Sequence, residues 1–144
     1  MPRFPEPEWF TALGQLMESR RELFQRLGFA ETRFALRILR DDGSTDAVVG
    51  LTLDGYRLSG AQAIDDFEAF DADFTICGKR SVWDRMLGEI AAGGRPQLRH
   101  TLSSLALMGD ELWLESSDQL REDKFYRYNQ TLQEFLNLAS ELRE

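Results

Sequence analysis

The sequence has one cysteine and one histidine among its 144 residues, and each scarcity closes off a class of chemistry. With Cys77 alone, no internal disulfide can form, and the cysteine spacings of a zinc site are missing. With His100 alone, a metal site built on two histidines is impossible. The lack of a disulfide fits a reducing compartment, so a cytoplasmic location is the expectation. Long apolar runs are missing too, and nothing approaches the ~18 consecutive apolar residues of a membrane-spanning helix. The opening "MPRFPEPEWF" carries one arginine and no apolar stretch, which is not the pattern of a secretory signal. Positive charge is also scarce. Against 25 Asp and Glu stand 17 Lys and Arg, a net charge of −8. That balance argues against nucleic acid, where cations supply most of the affinity, and against polybasic attachment to anionic lipid.

What is there describes an ordinary globular chain: 42% hydrophobic and 29% charged residues, without repeats or low-complexity segments. Its length suits a single domain over residues 1–144. The first helix is expected from about Glu6 to Leu27. Pro5 and Pro7 suit its start, Trp9, Leu13, Leu16, Met17, Leu23, Phe24 and Leu27 keep helical spacing, and Gly28 stops it. The period then changes to two. "RFALRILR" sets Phe34, Leu36 and Ile38 against Arg33, Ala35 and Arg37, and "AVVGLTL" follows the turn "DDGSTD". Asp54-Gly55 is a hairpin signal leading to "YRLSG", which completes an antiparallel meander.

A fourth strand is expected with Phe70, Ala72, Phe74 and Ile76 on one face, ending at Gly78. Ser81 can cap a helix in which Trp83, Met86, Leu87 and Ile90 share a side, and Gly93-Gly94 with Pro96 breaks it. "QLRHTL" suits a further helical turn, "SLALM" reads as a strand, and "LWLE" can pair with it. A long helix closes the chain from about Asp118 to Leu142, with Ser116 and Gln119 at capping-box spacing. Phe125, Tyr128, Leu132 and Phe135 form its apolar stripe, while Arg121, Glu122, Asp123, Lys124 and Asn129 face water. The expected class is α+β, with helices packed on a mainly antiparallel sheet.

The residues that could carry catalysis do not assemble into a set. His100 has Ser103 and Ser104 near it in sequence, but no nucleophile elbow surrounds them. Cys77 points away from Phe74 and Ile76 and reads as a small buried hydrophobe. The acidic run Asp65, Asp66, Glu68, Asp71 and Asp73 lacks the ligand ladder of a calcium loop and reads as a solvated edge. Gly93-Gly94 is followed by no Lys-Ser pair and cradles no phosphate.

The stretch "ADFTICGKRSVWDRMLGEIAAGG", the later "SLALMGD" and the closing amphipathic helix together resemble the sterol carrier protein type 2 family. The matching positions are Ala72, Asp73, Thr75, Ile76, Trp83, Met86, Leu87, Gly88, Gly109 and Asp110, with Tyr56 and Leu58 agreeing upstream. The resemblance implies a five-stranded sheet covered by helices, with an apolar tunnel for a sterol, fatty acid or acyl-CoA. It implies neither catalytic residues nor a cofactor. On this sequence the tunnel would have Phe74 and Ile76 as its floor and Trp83, Met86, Leu87 and Ile90 as one side. Leu105 and Leu107, with Phe125, Tyr128, Leu132 and Phe135 of the closing helix, would complete it. The implied partner is a hydrophobic small molecule, and a partner enzyme or a homodimer stays open. Two other readings remain: a protein-interaction module with a filled interior, and a small isomerase or cyclase. The enzyme folds of that last kind end on long strands, whereas this chain ends on a helix.

Overall fold

A computed structural model describes residues 2–142. Its elements run α1 (Pro7–Ser19), α2 (Arg21–Leu27), β1 (Ala30–Leu39), β2 (Thr45–Gly55) and β3 (Arg57–Ala63). There follow α3 (Phe67–Phe70), β4 (Phe74–Lys79), α4 (Arg80–Gly93) and a 3-10 turn at Leu98–His100. Last come α5 (Leu102–Met108), β5 (Leu112–Glu115), α6 (Gln119–Asn137) and a 3-10 turn at Leu138–Glu141. The class is α+β, as expected.

The five strands form one sheet in the order β3-β2-β1-β4-β5. The meander β1-β2-β3 is antiparallel, as is β4 with β5, but β1 and β4 run parallel, so the sheet is mixed. In the parallel register Phe34 lies beside Phe74 and Leu36 beside Ile76; in the antiparallel one Phe34 faces Leu51 and Leu36 faces Val49. Period two therefore gathers these side chains on one face, and there they meet α1, α4 and α6 in a continuous buried cluster.

Four expectations are corrected. The first helix is two, because Arg20 leaves helical geometry (φ −113°, ψ 32°) and its N–H bonds back to Leu16 and Met17. The polar run "ESRRE" had already left a gap in the apolar spacing there. "SLALM" is helix, not strand: Thr101 caps α5 by accepting from the Ser104 N–H, and Gly109 ends it at φ 76°. In so short an apolar run periodicity cannot separate the two states, and the caps decide. The fifth strand is "LWLE", paired with β4. Phe70 belongs to α3, capped by Asp66, and not to the fourth strand, which starts at Phe74. The remaining differences are at boundaries. β4 runs on to Lys79, α4 starts at Arg80 without help from Ser81, and Asp118 caps α6.

The outer face of the sheet is closed in one place by a glycine. A Cβ on Gly50 would lie 2.6 Å from Ile64 and 2.7 Å from the Phe70 ring, so α3 packs directly on the β2 backbone. Gly50→Val is expected to cost about 1–3 kcal/mol by overpacking. Gly60→Ala, where a Cβ meets nothing within 4 Å, is expected to stay within about 0.5 kcal/mol of the parent. Urea denaturation of both proteins checks the contrast.

Candidate functional site

The interior between sheet and helices takes its floor from β1 and β4 and its roof from α4 and α6. Phe74 and Ile76 point inward from β4, and Phe74 stacks on Phe34 with ring centroids 5.4 Å apart. Phe125 of α6 meets the Phe74 ring edge-on at 5.7 Å. From α4 come Trp83, Met86 and Ile90, and from α6 Leu132 and Phe135; Leu105 joins them from α5, and all are buried. The Trp83 indole donates to the Gly78 carbonyl at 3.1 Å and lies 6.2 Å from the Phe4 ring. Leu87 is partly buried against this cluster, and Tyr128 is half-buried. Leu107 stands apart. It is 82% exposed, because α5 is a helix and turns Leu107 away from the side carrying Leu102 and Leu105.

What sequence reasoning missed is the way α6 is fastened. Asp73, read as solvated, is buried at the start of the β4 segment. Its Oδ2 accepts from Thr32 Oγ1 at 2.8 Å, from the Arg33 N–H at 3.2 Å and from Lys124 Nζ at 3.1 Å. Its Oδ1 accepts from Arg121 Nε at 3.2 Å. Arg121 also donates to the Asp71 carboxylate at 2.9 Å and the Asp71 carbonyl at 2.8 Å. Arg121 and Lys124 were expected to face water. Yet Arg121 stands four residues before Phe125, on the inward stripe, and a cation on a buried stripe signals a buried acid. Burial pushes the Asp73 carboxyl up, but the hydrogen bonds from Thr32, Lys124, Arg33 and Arg121 outweigh it, and the net shift is downward.

Two surface clefts flank this interior. The larger, about 500 Å³, runs between α6 and the segment joining α4 to α5, with Leu27, Leu98, Thr101, Ser104, Gln133 and Asn137 among its walls. Within it the Gln133 side-chain carbonyl accepts from the Leu102 N–H at 2.7 Å. The other, about 410 Å³, lies on the outer face of the sheet beside Arg37, Thr75, Glu115 and Arg121.

The polar groups weighed for chemistry are otherwise engaged. His100 Nδ1 is 2.7 Å from Glu89 Oε2, and Ser104 pairs with Thr101 at 2.9 Å. Burial raises the Cys77 thiol to about 11 despite the opposing Arg37, whose Nη2 lies 3.3 Å from the sulfur. A thiol so placed is protonated and a poor nucleophile at neutral pH. No helix among the described residues is long and apolar enough to cross a membrane.

A crystal structure of sterol carrier protein 2 matches 98% of this chain and 100% of its own, with a TM-score of 0.68 at 23% identity. The fold is that of sterol carrier protein 2. A second sterol-carrier-like match is the solution structure of a conserved hypothetical protein from Thermus thermophilus (TM-score 0.62, 24% identity), covering 98% of this chain and 90% of that one. No family model and no curated protein matches the chain. At these identities it is the fold that is shared.

The Asp73 latch has a pH signature. An unfolded aspartate titrates near 3.9, and the folded group titrates lower, so the latch contributes fully above about pH 4–5 and is lost as pH falls through the folded value. Asp73→Asn is expected to cost about 2 kcal/mol at neutral pH, and the deficit is expected to shrink below about pH 4. Urea denaturation across pH measures it; a deficit that does not change with pH would contradict the latch.

Proposed function

We propose that the chain binds one hydrophobic molecule, of the sterol, fatty-acid or acyl-CoA kind, between its sheet and helices, and carries or presents it without chemical change. The observation that supports this is the apolar lining itself. In a sterol-carrier fold, Phe74 and Ile76 of the floor lie buried with Trp83, Met86, Ile90, Leu105, Phe125, Leu132 and Phe135 of the helices, Leu87 is partly buried against them, and half-buried Tyr128 is assigned to the rim. Among the described residues, Asp73 is the one charged residue that is buried, and it lies at the head of β4 against the N-terminal end of α6. The non-catalytic part of the proposal draws support from the polar groups, since His100, Ser104 and Cys77 each have partners that form no nucleophile–base pair.

The side chains of this layer pack against one another, so a guest has to displace them. The proposed moving part is α6, held by its apolar face and by the Asp73 latch, with flexible Met86 adapting beneath it. Burying an acyl chain gains ~0.8 kcal/mol per methylene, about 10 kcal/mol for a dozen. Ordering and displacement costs of similar size leave micromolar affinity and loose specificity as the expectation.

Delipidated protein titrated with a fluorescent fatty acid is expected to saturate with a Kd of about 1–10 μM. With Trp9→Phe and Trp113→Phe in place, the remaining Trp83 emission is expected to change in step. Lys124→Gln, which loosens the latch, is expected to speed uptake several-fold. Flat Trp83 emission without saturable uptake would overturn the proposal. It would also favour the one reading that the close packing supports as a rival, a protein-interaction module whose interior admits no guest.

A further inference from the structure

The sheet has two edges, β3 and β5. β5 is four residues long and α5 packs against it, two of the usual ways in which an edge is kept from pairing. β3 is longer, seven residues reading "RLSGAQA", and after Arg57 it carries neither a charge nor a proline. Ser59, Gly60, Gln62 and Ala63 are exposed, and a Cβ on Gly60 would meet nothing within 4 Å. A bulge at Ser59, where Thr52 pairs with Gly60 but Leu53 with Leu58, disturbs only the first part of the strand. From Gly60 to Ala63 the ladder with β2 is regular.

The backbone groups of that regular part divide by alternation. The Ile64 N–H donates to the Val48 carbonyl at 3.0 Å, so Gln62 and Gly60 also turn their backbone groups toward β2. Ala61 and Ala63 turn theirs outward, to the free side of the strand. The neighbouring helix α1 packs on the inner face of β3 through Gly14, where a Cβ would lie 3.0 Å from Leu58. Between the two elements runs a cleft of about 240 Å³, walled by Thr11, Gln15 and Glu18 of α1 and by residues 58–61 of β3.

We propose that β3 pairs with β3 of a second copy of this chain, antiparallel about a two-fold axis at Ala61, which joins the two sheets into one. Pairing centred there sets Ala61 against Ala61, and Ala63 against Ser59 of the other copy. These side chains are small enough for two strands at the ~4.8 Å spacing of a sheet. The ends of the strand are also complementary. Arg57 stands exposed at its start, and exposed Asp65 follows its end, so an antiparallel pair brings each arginine beside the aspartate of the other copy. Asp66 is occupied in capping α3, which leaves Asp65 as the acid for this contact. Asp54 stands opposite Arg57 on β2 within the chain, so each ion pair across the interface contributes modestly. Each copy carries −8, which resists association, although screening at physiological salt confines that field to ~8 Å. Glu18 is the one acid in the wall of the cleft. The balance is a weak, reversible dimer.

Sedimentation equilibrium of the whole chain tests it, over a concentration range that brackets an expected Kd of about 10–100 μM. Amide exchange at Ala61 and Ala63 is expected to slow as the concentration rises. Ala61→Pro removes an outward N–H and leaves the β2 ladder intact, and it is expected to weaken the dimer at least about tenfold. Arg57→Asp places like charges at both ends and is expected to weaken it about tenfold as well. Adding Asp65→Arg to that variant is expected to restore the parent affinity, which a change of fold alone would not do. Melting temperatures verify that each variant is folded, and the charge exchange decides the matter should Ala61→Pro unfold. A chain that stays monomeric at the highest concentration overturns the proposal. A dimer that survives both Ala61→Pro and Arg57→Asp overturns it too, since the copies then meet elsewhere.

Discussion

The carboxylate of Asp73 joins three parts of the chain that are far apart in sequence. It accepts from Thr32 and Arg33 of β1, stands at the head of β4, and takes Arg121 and Lys124 from α6. The Asp73 N–H reaches the Arg33 carbonyl at 2.6 Å, and its own carbonyl accepts from Ser116 at 2.7 Å, just before α6. The parallel pairing of β1 and β4 therefore begins at the same point from which α6 departs. Magnitudes separate the two roles in holding α6. Phe125, Leu132, Phe135 and Leu136 are worth about 6–12 kcal/mol of burial together, against about 2–3 for the charged hydrogen bonds. The apolar face holds the helix to the sheet, and Asp73 sets where it crosses.

That division is what the proposed uptake of a guest requires of α6, a helix stable in place yet able to move. Apolar contact is non-directional, so a guest of similar surface can replace part of it at little net cost. The polar latch is directional and lies at the N-terminal end of α6, so motion there is coupled to the Arg121 and Lys124 bonds. The far end is tied differently, with Asn137 paired to Gln133 at 3.1 Å and Arg20 paired to Glu141 just beyond. The interior stays apolar because these charges are confined to the ends of the helix.

Much of this was legible in the sequence, and the part that was not has physical causes. The meander could be read because period two and the Asp54-Gly55 turn act locally. The amphipathic spacing of α4 and α6 likewise marks their inward sides. The parallel β1–β4 pairing could not be read from pattern, because it joins strands whose register no turn sets. "SLALM" misled because a short apolar run fits either period, and the decisive signals were Thr101 before it and Gly109 after it. Asp73 looked solvated within an acidic run, and only the placement of Arg121 on the apolar stripe of α6 hinted otherwise. Phe74, Ile76, Trp83, Met86, Ile90, Phe125, Leu132 and Phe135 were read as inward-facing and are buried, but Val82 and Leu136 were missed, Tyr128 is only half-buried, and Leu107 went with the mistaken strand.

The central claim is that a hydrophobic guest lodges between the sheet and the α4–α6 roof. Nuclear Overhauser contacts between a bound fatty acid and selectively labelled methyl groups measure this most directly. The account predicts cross-peaks from the acyl chain to Ile76 of β4, Ile90 of α4 and Leu132 of α6 together. Cross-peaks confined to exposed methyls such as those of Leu107 and Leu120, with Ile76 and Leu132 untouched, would contradict it.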